Sequence, residues 1–268
     1  FYSRNFLNMR NDNPIYSKIL AEQNKIKHGF FTRNGGVSSG EFGTLNCSFK
    51  SKDKNKNIFK NREIVCLYHD QKPSNLKTIN QTHSNIALVI EDPSMDTSNT
   101  QADSLITKIP NIILGILTAD CAPLLLYDYK SNIIAAIHVG RRGAKNRIIM
   151  KTINRMVSMG TNTSNILAAI GPCIGYNSYE VGEELLEEFI SENSKFINYF
   201  KKFTKNKYFF NLPDLIEFQL LEFKIIKNNI TKSKYDTFKE DKLFFSYRRS
   251  IKENTTNCGR MISTISMI

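Results

Sequence analysis

Apolar residues in this chain fall mainly into short unbroken runs bounded by Gly, Pro, Asn and Asp, and only a few stretches carry the spacing of a helix face. Runs of this kind rich in Ile, Leu and Ala predict buried strands. HGFF predicts an aromatic strand that passes into the Gly/Ser loop TRNGGVSSGEFG, and LKTINQTHSNIALVIE predicts two short strands around His83. ADSLITKIPNIILGILTADCAPLLLYDYKSNIIAAIHVG predicts three strands separated by the turn signals IPN and DYKSN, and ILAAIGPCIG a further buried strand ending in a tight turn. Helices are predicted for NREIVCLYHDQ, from about Lys145 to Met159, for EVGEELLEEFISENSKF, and for LIEFQLLEFKIIKNN with Asp214 as its cap. The tail, ending in MISTISMI, supplies a terminal strand. Strands interspersed with helices predict an α+β chain, arranged as a three-layer α/β/α sandwich around a mixed sheet.

Chemistry enters at the ends of these runs. His83 in QTHSN, Cys121 in TADCAP and His138 in IHVGRRG each lie in a polar, Gly- or Pro-punctuated turn. Two imidazoles and one thiolate make a three-ligand zinc site with its fourth position open to water or substrate. The 38 residues from His83 to Cys121 and the 17 from Cys121 to His138 fit no zinc finger, where ligands pair two to five residues apart. Ligands so scattered belong to a site assembled by a fold, and strand ends are a common place for chemistry in α/β sheets. For each residue taken singly, a packed or solvated role is the plainer reading; the case is the joint placement.

Composition narrows the class. A chain of 268 residues with 41% hydrophobic and 23% charged residues has the make-up of a soluble globular protein with a substantial core. No apolar stretch approaches the ~18 residues of a membrane span. Five cysteines, without paired spacing, favour reduced thiols and a cytoplasmic location over a disulfide framework. The net charge of +12 raises the question of nucleic acid. Its lysines are scattered among Asn and Ile, as in FKSKDKNKNIFKNRE, and no nucleic-acid motif accompanies them, so solvated surface and an anionic small substrate are the better reading.

The ordered segments FTRNGGVSSGEFGTLNCS, QTHS, ADSLIT, TADCAPLLLYD, AAIHVGRRG, AAIGPCIGYNSYEVGEE and FFSYRR followed by GR resemble the YfiH or laccase-domain family. That family also carries the name of multicopper polyphenol oxidases and is regarded as one of zinc-dependent purine nucleoside phosphorylases. The resemblance implies a single catalytic domain over 28–268 behind an N-terminal extension at 1–27, and zinc on His83, Cys121 and His138. Its substrates would be a purine nucleoside, of the adenosine, inosine and methylthioadenosine class, and phosphate, with adenosine deamination as a further activity. Where the family usually reads His-Ala-Gly-Trp-Arg-Gly, this chain has His138, Val139, Gly140, Arg141, Arg142 and Gly143.

Around the ligands, Arg33, Arg142 and Arg248 are candidates for anion binding, because a guanidinium grips phosphate through two N–H groups. The backbone at Gly35 and Gly36 offers further donors. Asp120 and Asp103 are candidates for proton transfer or for support of the ligands, and Asp103 also for contact with substrate, with structural capping as the plainer role of each. Gln81, two residues before His83, would share its face on a strand, and Asn46 is a purine or ribose contact by the family pattern. Three other functions compete. A cysteine hydrolase would use Cys121 as nucleophile and His138 as base on amides such as peptidoglycan precursors. A multicopper oxidase is disfavoured, since four histidines in all are too few for several copper ions. The third is a catalytically inactive binding protein. The sequence leaves the oligomeric state open.

Overall fold

The computed structural model describes residues 14–255 and 257–268; residues 1–13 of the N-terminal extension lie outside the described residues. In chain order the elements are α1 (Lys18–Ala21), β1 (Ile26–Phe30), α2 (Asn55–Tyr68), β2 (Leu76–Lys77), β3 (Ala87–Ile90) and β4 (Ser104–Thr107). Next come β5 (Ile113–Thr118), β6 (Ala122–Asp128), β7 (Ile133–Val139), α3 (Arg141–Lys145), α4 (Ile148–Ser158) and β8 (Ile166–Ile170). The chain ends with β9 (Glu180–Gly182), α5 (Glu183–Glu192), β10 (Phe200–Thr204), β11 (Lys207–Phe210), α6 (Leu212–Glu222), β12 (Ile230–Lys232), α7 (Tyr247–Lys252) and β13 (Met261–Met267). Among the described residues no helix is long and apolar enough to cross a membrane.

The central sheet is mixed and six-stranded, in the order β12-β8-β6-β7-β4-β3. Its strands are continuous apolar runs because both of its faces are covered. Leu124, Leu126, Ala135, Ile137, Ala168 and Ile170 face a helical layer built mainly from α4 and α6. Leu125, Tyr127, Ile134, Ala136, Leu167 and Ala169 face the opposite way, onto Leu114, Ile116, Ile265 and Met267 of a second sheet, ordered β1-β13-β5-β2. The far side of that second sheet packs on α2 through Phe31, Val65 and Ile262. The class is therefore α+β as expected, with helices on both outer faces and a β layer between them that is itself two sheets face to face.

Three local differences from the sequence reading have physical causes. The long apolar run before Tyr129 is two strands, β5 and β6, broken where Asp120 takes a left-handed φ of 83°. The helix at 212 is capped by Asn211, whose side chain accepts from the Asp214 N–H. The Lys- and Phe-rich segment after 199 forms the antiparallel hairpin β10–β11, held by Phe200 stacked on Phe210 at 4.6 Å. Residues 14–27 are integrated with the sheets: Ile15 bridges Phe30, Leu20 is fully buried in the inter-sheet core, and Ile26 and Lys27 belong to β1.

Two histidines are fixed in this scaffold. The Ser17 N–H donates to His28 Nε2 at 3.0 Å, and the His69 ring sits between Ser266 Oγ and Thr264 Oγ1, both at 2.7 Å. Burial lowers their pKa values to about 4 and about 3 respectively. Both are neutral in the fold yet protonate near 6.5 when unfolded, so below 6.5 the unfolded chain binds more protons and stability falls with falling pH. At about 1.4 kcal/mol per pKa unit, denaturant titration is expected to give a stability roughly 2–4 kcal/mol lower at pH 5 than at pH 7. Equal stability at the two pH values would show that neither ring is held neutral.

Candidate metal centre

The antiparallel pair β6–β7 brings the first two ligands together. Pro123 lies opposite His138 and Ala122 opposite Val139, so Cys121, just before β6, reaches the level of the end of β7. His83 arrives on the loop between β2 and β3 in a left-handed conformation, φ 59°. The three ligand atoms lie within 4.8 Å of one another, with Cys121 Sγ 3.8 Å from His83 Nε2. Bonds of 2.0–2.3 Å to a tetrahedral zinc place donor atoms about 3.3–3.8 Å apart, a separation these side chains reach by small rotations. His138 is buried, Cys121 half-buried and His83 exposed, which leaves one side of the cluster open.

Gly140 sets the floor. A Cβ there would stand 2.7 Å from His83 Cδ2 and 3.1 Å from Cys121 Sγ, inside van der Waals contact. Gly140→Ala is therefore expected to weaken metal binding about tenfold or more by displacing one ligand from its bonding position, measured by competition with a chromophoric chelator. Unchanged affinity would mean that the loop yields freely.

Asp103 stands behind both imidazoles. Its Oδ1 accepts from His138 Nδ1 at 2.7 Å and from the His83 N–H at 3.1 Å. Its Oδ2 accepts from the Thr82 and Ser84 N–H groups at 3.2 and 2.5 Å, and from Ser84 Oγ at 2.7 Å. Burial pushes its carboxyl group up, but hydrogen bonds from His138 and Ser84 outweigh this and hold it below the usual range. In the metal-free cluster burial also pushes the Cys121 thiol up, yet the facing imidazoles of His138 and His83 bring it down to about 6. His138 moves oppositely: burial lowers it, while the Cys121 thiolate and Asp103 raise it to about 9.

The remaining candidates separate into two groups. Asp120 is buried and accepts from Thr237 Oγ1, Ser246 Oγ and the Arg248 N–H at 2.7, 2.9 and 2.6 Å. It ties the 237–248 segment to the break before Cys121, so as a proton carrier it is a poor match for its surroundings. Arg33 is held by the carbonyls of Gly43, Asp241 and Glu41 and stacks on Phe245. Asn46 is fully buried; its amide donates to Ser51 Oγ and Asp53 and accepts from the Ser48 and Arg260 N–H groups, leaving nothing for a purine. Gln81 is not on a strand. Its side chain exchanges two hydrogen bonds with the backbone of Leu117, at 2.7 and 2.8 Å, acting as a surrogate strand neighbour. Asp103, read also as a substrate contact, has no exposed surface and supports the ligands from behind.

Other cations follow close in the chain or lie beside Tyr179. Arg141 and Arg142 begin α3, one residue after Gly140, and both are exposed. Arg248 donates to the Glu180 carbonyl at 2.8 Å and lies 5.5 Å from the Tyr179 ring centroid. Burial pushes the Tyr179 hydroxyl up, and the nearby Cys121 thiolate adds to this against Arg141 and Arg248. Tyr179 and Gly140 were not nominated for the site from the sequence, and Arg141 was noted only as standing where the family has Trp.

Comparison with known proteins identifies the family. The chain is 34% identical over 253 residues to a purine nucleoside phosphorylase of Bacteroides thetaiotaomicron, covering 91% of this chain and 94% of that one. It is 30% identical over 257 residues to a purine nucleoside phosphorylase of Rickettsia conorii, covering 94% and 96%. Among solved structures, the YfiH protein of Bacillus licheniformis superposes with a TM-score of 0.84 at 26% identity, over 91% of this chain and 93% of that one. The NMB0706 protein of Neisseria meningitidis gives 0.80 at 27%, over 91% and 95%. Residues 27–268 match the family described as multi-copper polyphenol oxidoreductase laccase, and with nearly the whole chain matched, the protein belongs to that family.

Proposed function

We propose that this protein is a zinc-dependent purine nucleoside phosphorylase. The observation that carries the reading is the convergence of His83, Cys121 and His138 with one side left open; the names of the relatives support the substrate class. His83, Cys121 and His138 would hold the ion, whose chemistry is that of a Lewis acid that stabilises negative charge. The donor set favours zinc over a multicopper assembly: of the four imidazoles, His28 and His69 are spent on Ser17, Ser266 and Thr264, leaving two at the centre.

In phosphorolysis a phosphate oxygen forms a bond to C1′ of the ribose as the C1′–N9 bond breaks. The electron pair leaves with the purine, which takes up a proton, and the products are ribose 1-phosphate and free base. Arg142, with Arg141 beside it, is the anion-binding group, since among the described residues neither guanidinium has a hydrogen bond or ion pair of its own. Arg248, 5.5 Å from the Tyr179 ring centroid, is a second candidate for the anion. Deamination of adenosine by water is a second activity of the same site, and a cytoplasmic location fits reduced thiols and small-molecule substrates. The test is incubation of the zinc-loaded protein with adenosine or inosine, with and without phosphate. Ribose 1-phosphate must appear only with phosphate, and a protein that releases no base under either condition is not a phosphorylase.

A second reading rests on a specific alignment: Asp103, His138 and Cys121 have the order of an acid, base and thiol nucleophile, and the thiol is drawn down to about 6. A metal-free Cys121 hydrolase would survive chelation and be killed by alkylation, with substrate protecting. Loss of activity on chelation, restored by zinc, decides for the metal.

A further inference from the structure

We propose that Asp103 is the positioning residue that makes the two imidazoles ligands, by fixing the tautomer of His138 and the backbone of His83 through one carboxylate. The inference rests on the metal reading above. The observation is the division of labour between the two oxygens. Oδ1 takes His138 Nδ1–H and the His83 N–H, and Oδ2 takes Thr82 N–H, Ser84 N–H and Ser84 Oγ–H. The three backbone N–H groups can only donate and the Ser84 hydroxyl donates as well, so the group that fits is acceptor-only, which an ionised carboxylate is, and facing it His138 Nδ1 carries the proton.

Two consequences follow. A donor at His138 Nδ1 leaves the lone pair on Nε2, the nitrogen turned toward Cys121 and His83, so the tautomer that can bind metal is selected before an ion arrives. The same carboxylate draws three successive N–H groups, Thr82 to Ser84, onto one point. That curl holds His83 at its positive φ, in a region non-glycine residues seldom occupy. The backbone completes the clamp: His138 N–H donates to the Asp103 carbonyl at 2.8 Å and Asp103 N–H to the Ile86 carbonyl at 3.0 Å. Asp103 thus hydrogen-bonds to both histidine-bearing segments, 20 residues after His83 and 35 before His138.

Asp103→Asn is the informative change, because it keeps shape and replaces one acceptor oxygen with a donor. An NH₂ in the Oδ2 position would face three donors; in the Oδ1 position it faces two, and one of these, His138, can reverse its tautomer and accept. The variant therefore settles with its NH₂ toward His138, which puts the proton on Nε2 and blocks ligation.

The experiment measures zinc affinity by chelator competition, together with the visible spectrum of the cobalt-substituted protein, for wild type, Asp103→Asn and two controls. Asp103→Asn is expected to bind zinc ten- to a hundredfold more weakly and to lose the tetrahedral cobalt bands. Ser84→Ala, which removes only one donor from Oδ2, should change affinity less than about threefold. Asp128→Asn, at a buried carboxylate on the other end of β6, should lower thermal stability without changing affinity. Wild-type affinity and spectrum in Asp103→Asn overturn the proposal. If that variant does not fold, ¹⁵N NMR of the zinc-loaded wild type decides: a proton on His138 Nδ1 with zinc on Nε2 supports it, and ligation through Nδ1 overturns it. Absence of tight zinc binding in the wild type is a different result, and removes the metal reading itself.

Discussion

His83→Ala, Cys121→Ala and His138→Ala are each expected to strip the purified protein of most of its zinc, from about one ion per chain, and to cut turnover by at least about a hundredfold. An ion held by three protein bonds loses too much on losing one, and a two-ligand remnant does not retain zinc against buffer or chelator. Because the ion binds the folded chain in preference to the unfolded one, its loss should also lower the unfolding temperature of the wild type on chelation, while the alanine variants respond little to chelator. Elemental analysis by mass spectrometry and a thermal melt with and without chelator check both halves. Normal zinc content in all three variants would remove the site.

Arg142→Ala is expected to leave zinc content near normal and to reduce phosphorolysis about ten- to a hundredfold, the size of a lost charged hydrogen-bond pair at roughly 1.5–3 kcal/mol. The loss should fall on the dependence on phosphate, because in the proposed role the guanidinium would contact the anion and none of the ligands. Adenosine deamination, which uses water instead of phosphate, should suffer less. Steady-state rates at several phosphate concentrations, run beside a deamination assay, separate the two. If both reactions fall equally, or neither falls, Arg142 is structural, and Arg141 beside it is the next anion-binding group to substitute.

Strands buried on both faces were legible in the sequence because an uninterrupted apolar run has few other meanings: β6, β7 and β8 lie where LLLYD, NIIAAI and ILAAI placed them. The turn at TADCAP was legible, but not that it separates two strands, since that geometry depends on Asp120 accepting φ 83° with three distant donors. The β10–β11 hairpin was hidden for another reason: Lys and Asn in FKKFTKNKYFF read as solvated surface, and the pairing of Phe200 with Phe210 appears only in three dimensions. For the site, residue types and turn positions sufficed to nominate His83, Cys121 and His138. Polar partnerships across long separations did not show, because register decides them. Gln81 meets Leu117 and Asn46 meets Arg260, so side chains nominated for substrate turn out to hold backbone. The same blindness to register concealed Gly140, whose missing Cβ matters only once His83 and Cys121 are in place.

The pairing of β6 with β7 bears on the order in which the centre assembles. Cys121 and His138 flank a hairpin turned at Tyr129–Asn132, a local contact that a folding chain reaches early, whereas His83 waits for the parallel pairing of β3 with β4 and of β4 with β7. Chain length is a minor obstacle to that last step, since doubling a loop adds only about 0.6 kcal/mol of closure entropy; the slow part is pairing strands distant in sequence. A nascent chain therefore brings Cys121 and His138 together before His83 joins them. The third candidate ligand joins only when β3 and β4 are in register on β7, which would tie full coordination to the pairing of that half of the sheet.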